Sequence, residues 1–147
     1  MDVMVATDFS PHGRAVLRAA GRFCRALDAK VWVVHALTPP GGLRAYGSGE
    51  RTDRPTAADD VREEHRLVRE AASALQGSGL DAVGLLVEGP PVRTLLDEAA
   101  RLEVDLIVVG SHGYGAVARA LLGSVSGGIV RHATCPVLVV PAPREEH

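Results

Sequence analysis

Five short apolar runs, at residues 3–6, 31–36, 82–87, 106–109 and 137–140, constrain this chain more than any other feature. They are nearly continuous in Val, Ile, Leu and Ala and do not alternate with polar residues. A strand reads this way when both its faces are covered, so the pattern predicts a parallel sheet between two helix layers. Hydrophobic residues make up 46% of the chain and aromatics only 3%, so the core has to be aliphatic. The 147 residues fit one domain, 1–147, with a core that needs no staples.

Helical patterns fill the gaps between the runs. Ser10-Pro11 is a good cap and first-turn pair, followed by an apolar stripe of Val16, Ala20, Phe23 and Leu27. Thr56 with Asp59 resembles a capping box and opens a helix with Val61, Val68, Ala72 and Leu75 inward, ended by Gly77 and Gly79. Val92, Leu95, Leu96 and Ala99 mark a third helix with Pro91 near its start. A fourth is predicted from about 124 to 133, with Val125, Ile129 and His132 at helical spacing. Strand and helix therefore alternate throughout, which is the order of a doubly wound open α/β sheet with helices on both faces. Residues 38–55 are rich in Gly and Pro and carry Arg44, Arg51 and Arg54. They read as a flexible surface loop, with a lid over a ligand as the alternative.

A net charge of −2 argues against general attraction to nucleic acid or membranes. Lys30 is the only lysine, so a phosphate site here has no loop lysine to draw on. Cys24 and Cys135 fit no metal spacing and read as buried structural thiols. The opening MDVMVATDFS has no basic region followed by an apolar stretch, and no run approaches membrane-spanning length. A soluble cytoplasmic protein is expected.

In open α/β sheets ligands bind beyond the carboxyl ends of strands, where strand order reverses. Two such ends carry unusual residues. The first run leads into Thr7-Asp8-Phe9-Ser10, and the fourth into Gly110-Ser111-His112-Gly113, with Gly123-Ser124-Val125-Ser126 opening the last helix. Glycines at 110, 113 and 123 are expected to admit a ligand close to the backbone and to adopt positive φ. Serines at a helix start, with its free amides and dipole, favour an anion such as phosphate.

The spacing G-x2-G-x9-G-S, at Gly110, Gly113, Gly123 and Ser124, resembles the ATP-binding signature of universal stress proteins. The resemblance extends over nearly the whole chain, through VATDFSPHGRAVLRAA, VWVVHA, DLIVVGSHGYG and LLGSVSGGIVRHATCPVLVV. It implies a five-stranded parallel sheet in the order 3-2-1-4-5, which places Asp8 beside Gly110. It implies an adenine nucleotide as ligand, ATP or else ADP or AMP, possibly with Mg. Asp8 then lies near the ribose–phosphate side or a metal ion held through the nucleotide. Ala36 meets the adenine through its backbone. Gly110, Gly113, Gly123, Ser124 and Ser126 surround ribose and phosphates, with Val125 between the two serines and His112 within the loop. Tyr114 stands where many members have Arg, which alters any phosphate contact made there. The family often forms homodimers through its fifth strand.

Blander readings stand beside these. Asp8 can simply order the turn, Ser124 can simply cap its helix, and His112 and Arg119 can face water. His35 and His132 read as packed and hydrogen-bonded. No G-x4-G-K-[ST] loop, serine elbow or zinc helix occurs, and no catalytic residue is assigned. An ATP-binding stress-response regulator is the leading function. The alternatives are a slow ATP hydrolase and a nucleotide-independent dimeric interaction module.

Overall fold

The computed structural model describes residues 1–38, 57–111 and 122–142. The elements run β1 (Asp2–Ala6), α1 (Pro11–Ala26), β2 (Lys30–Leu37), α2 (Ala57–Gly77), β3 (Asp81–Glu88), α3 (Pro91–Arg101), β4 (Leu106–Gly110), α4 (Ser124–His132) and β5 (Val137–Val140). The five strands form one parallel sheet in the order β3-β2-β1-β4-β5. This is the topology expected, and each strand lies on its apolar run. Beyond Thr38, the Gly/Pro-rich stretch lies outside the described residues, as does Thr56 of the capping box.

Alternate residues of each strand feed two separate cores. Val3, Val5, Val31, Val33 and Val108 pack with Val16, Ala20 and Cys24 of α1 and with Ala72 and Leu75 of α2. Met4, Val34, Ile107 and Val109 pack with Leu95 and Ala99 of α3 and with Ile129 of α4. Helices cover both faces of the sheet, which is why the strands read as unbroken apolar runs.

Two predicted helix faces are rotated from expectation. In α1 the buried side is Gly13, Val16, Ala20, Gly21 and Cys24, while Phe23 and Leu27 are 52% and 47% exposed. The packed stripe is held close to the sheet by small residues, and the larger Phe23 and Leu27 are left outside it. In α4 the inward residues are Ser126 and Ile129, while Val125 and His132 face outward. Gly128 sets this orientation, because a Cβ there would come within 2.7 Å of Val92 on α3. Among the described residues no helix is long and apolar enough to cross a membrane.

Candidate functional site

The strand order reverses between β1 and β4. Their last registered pair is Val5 with Val108, so Thr7 and Gly110, each two residues on, reach the same level at the sheet's carboxyl edge. Ala36 lies two residues beyond Val34, the partner of Ala6. Asp8, Ala36 and Gly110 therefore belong to one edge of the sheet, as expected.

The turn out of β1 is tightly organised. Ser10 caps α1, its Oγ accepting from the Gly13 amide at 3.0 Å. The same hydroxyl donates to Asp8 Oδ1 at 2.6 Å, and Oδ1 also accepts from the Ser10 amide at 3.0 Å. Asp8 thus fulfils the bland expectation with one oxygen, and Oδ2 has no partner among the described residues. Gly13 is required here, because a Cβ would stand 2.9 Å from both Asp8 Oδ1 and Thr7 Oγ1. Phe9 takes φ of 59°, a left-handed conformation that costs an aromatic residue energy and that occurs disproportionately at functional sites. Its ring lies 5.1 Å from that of His35. His35 in turn bridges the Thr7 carbonyl through Nδ1 at 2.7 Å and Glu64 of α2 through Nε2 at 3.1 Å. Both partners accept, so the bridge is complete when both ring nitrogens carry protons.

The other wall is tied together by backbone and serine contacts. Ser126 Oγ donates to the Gly110 carbonyl, and the Gly123 amide donates to the Ser111 carbonyl at 2.8 Å. The Ser111 amide reaches the Val140 carbonyl at 2.8 Å, and Ser111 Oγ accepts from Ala142 at 3.1 Å. The start of α4 is therefore fastened to the ends of β4 and β5. The N-cap of α4 is Gly123, which has no capping side chain, and the first-turn amides of Ser124, Val125 and Ser126 have no partner within the helix. Ser124 and Val125 are exposed, and Ser126 is buried.

Two expectations about this wall need correction. Gly123 has φ of −58°, and the positive-φ glycines among the described residues are Gly79 and Gly89. Gly110 is instead a packing glycine, since a Cβ there would lie 2.7 Å from His12 Nε2 and 3.0 Å from Val16 Cγ2. The Ser126 hydroxyl, expected near ribose and phosphates, donates to the Gly110 carbonyl. His112, Gly113, Tyr114 and Arg119 lie outside the described residues. Sequence reading singled out the Thr7–Ser10 turn and passed over His12. The signal for His12 was its spacing of four from buried Val16, which places it on the inward side of α1.

The sequence profile described as the Universal stress protein family matches residues 1–141. This chain belongs to that family. A universal stress protein of Thermus aquaticus is 35% identical to it over 139 residues, covering 94% of this chain and 96% of the other. The crystal structure of a universal stress protein in complex with cAMP shares 27% identity with a TM-score of 0.72, covering 96% of both chains. The universal stress protein from Archaeoglobus fulgidus in complex with dAMP shares 26% identity with a TM-score of 0.68, covering 95% of this chain and 96% of that one. The universal stress protein fold thus comes with adenine mononucleotides in two relatives whose chains match this one almost end to end.

Proposed function

We propose that this universal stress protein binds an adenine nucleotide, with ATP as the leading candidate, at the junction of β1 and β4. It acts in the cytoplasm as a stress-response regulator whose occupancy sets its conformation or partners. The observation that carries this reading is the uncapped start of α4, fastened beside Gly110 at the sheet's reversal point. Amides without a partner in the helix and the positive end of its dipole favour a phosphate there. The complexes of two relatives with cAMP and dAMP support the adenine class. In this reading Asp8, Ala36, Gly110, His112, Gly113, Gly123, Ser124, Val125 and Ser126 line the site. Asp8, whose Oδ2 has no partner among the described residues, would lie on the ribose–phosphate side and would be the residue to hold a magnesium ion carried by the nucleotide.

The test is mass spectrometry of nucleotides released from freshly purified protein, followed by calorimetry with ATP, ADP and AMP. ATP at about a hundred times its dissociation constant stabilises the fold by roughly 2.7 kcal/mol. Gly123→Val puts side-chain bulk at the start of α4 and removes that gain. A well-folded wild-type protein that binds none of the three nucleotides sinks the reading. Hydrolysis is expected to run far below the ~10 s⁻¹ of an ordinary enzyme. Fast single-turnover hydrolysis that disappears in Asp8→Asn would make the protein a hydrolase instead.

A homodimer belongs to the same proposal. β5 is an edge strand of the sheet, and all four of its residues are only partly buried. An edge of that kind invites pairing with a second copy. Light scattering that finds a monomer at micromolar concentration rules the dimer out.

A further inference from the structure

His12 is the most anomalous polar residue in the described chain. Both of its ring nitrogens are shut off from solvent and neither has a hydrogen-bond partner. An unpaired buried donor or acceptor is destabilising, and native structures rarely leave one without a reason. The ring stands in the first turn of α1, against Gly110, where a Cβ would touch Nε2 at 2.7 Å and Cδ2 at 2.9 Å. It therefore sits at the point where the strand order reverses, between the Asp8–Ser10 turn and the end of β4, on the face of the sheet that α1 covers.

The neighbouring donors are already in use. Ser10 Oγ donates to Asp8, Ser126 Oγ donates to the Gly110 carbonyl, and both nitrogens of His35 are engaged. Gly110 therefore has the uncommitted imidazole of His12 against its α carbon and the first turn of α4 tied to its carbonyl, and an anion seated over Gly110 lies beside both. We infer that His12 is a ligand-contacting residue of the nucleotide site, donating a ring N–H to a phosphate oxygen of the bound nucleotide. The inference rests on the proposed nucleotide function and adds to it a side-chain donor in a chain whose only lysine, Lys30, lies at the opposite end of β2. The contact gives one of the two unpartnered ring nitrogens a hydrogen-bond partner.

The probes are AMP and adenosine, which differ by the phosphate alone, and the variant is His12→Phe, which keeps a ring over Gly110 and removes both nitrogens. AMP binding by calorimetry should weaken about tenfold or more in the variant, the loss expected for one charge-assisted hydrogen bond, while adenosine binding changes little. The melting temperature of the nucleotide-free variant should equal or exceed that of the wild type, whereas a structural hydrogen-bonding role for His12 would lower it. Should the variant fail to fold, ¹⁵N-labelled histidine in the wild-type protein decides: AMP, but not adenosine, should shift the His12 ring-nitrogen signals. AMP affinity within about twofold of wild type, or ring signals that stay still as AMP saturates, overturns the inference and leaves the nucleotide reading standing. An equal loss for adenosine overturns the phosphate contact. A folded wild-type protein that binds neither AMP nor ATP overturns both readings together.

Discussion

Gly110 shows how one residue can mean something other than its motif suggests. Its missing side chain makes room for His12 and Val16 rather than for an unusual backbone angle. Gly110→Ala forces a methyl group into that contact and should cost about 1–3 kcal/mol in chemical denaturation, with much of the loss recovered in the double variant His12→Ala/Gly110→Ala. Cys24 gives a second prediction at this scale. Burial pushes its thiol pKa up, so the folded chain prefers the neutral thiol. That contribution is fully present below the unfolded thiol range, about 8.5, and is lost as pH climbs through the higher folded value. Urea midpoints should therefore fall on the alkaline side, and less so in Cys24→Ala. Iodoacetamide should reach Cys135, which is partly exposed, before Cys24.

Helix ends are where the elements leave stability unused. Both α1 and α3 finish on a left-handed residue that is not glycine, Asp28 at φ of 49° and Glu103 at φ of 53°. Each is followed by an amide that returns to the last turn, Ala29 to Cys24 at 3.0 Å and Val104 to Ala99 at 3.1 Å. Glycine is the residue this geometry favours, so Asp28→Gly and Glu103→Gly should each stabilise the protein by up to about 1 kcal/mol in thermal or urea unfolding. The elements themselves were legible because hydrophobic runs and caps are local signals: Ser10-Pro11 opens α1, and the apolar runs give every strand. What was not legible depended on contacts between elements. The orientation of α4 follows from Gly128 meeting Val92, and the commitment of Ser126 follows from the placement of Gly110, neither of which any spacing encodes. The sequence placed Asp8, Ala36 and Gly110 on one edge but not the packing of His12 against Gly110, because an imidazole in a first turn looks like a solvated one until the strand beside it is known.

Across the whole molecule the sheet has two ends with different contents. The candidate site occupies the carboxyl end, and Trp32, the chain's sole tryptophan, belongs to the other. Its Nε1 donates to Asp2 Oδ2 at 3.3 Å and the Lys30 ammonium lies 4.4 Å from its ring centroid. Ala36 is four residues along the same strand, roughly 13 Å away. The indole is thus a built-in optical probe of one end of the fold. Its emission should shift sharply when urea dissolves the sheet, yet stay flat during a nucleotide titration monitored at selective indole excitation. A quench that tracks nucleotide occupancy would mean that the two ends of the sheet communicate. A silent Trp32 would make the same fluorimeter trace a clean meter of folding at any nucleotide concentration.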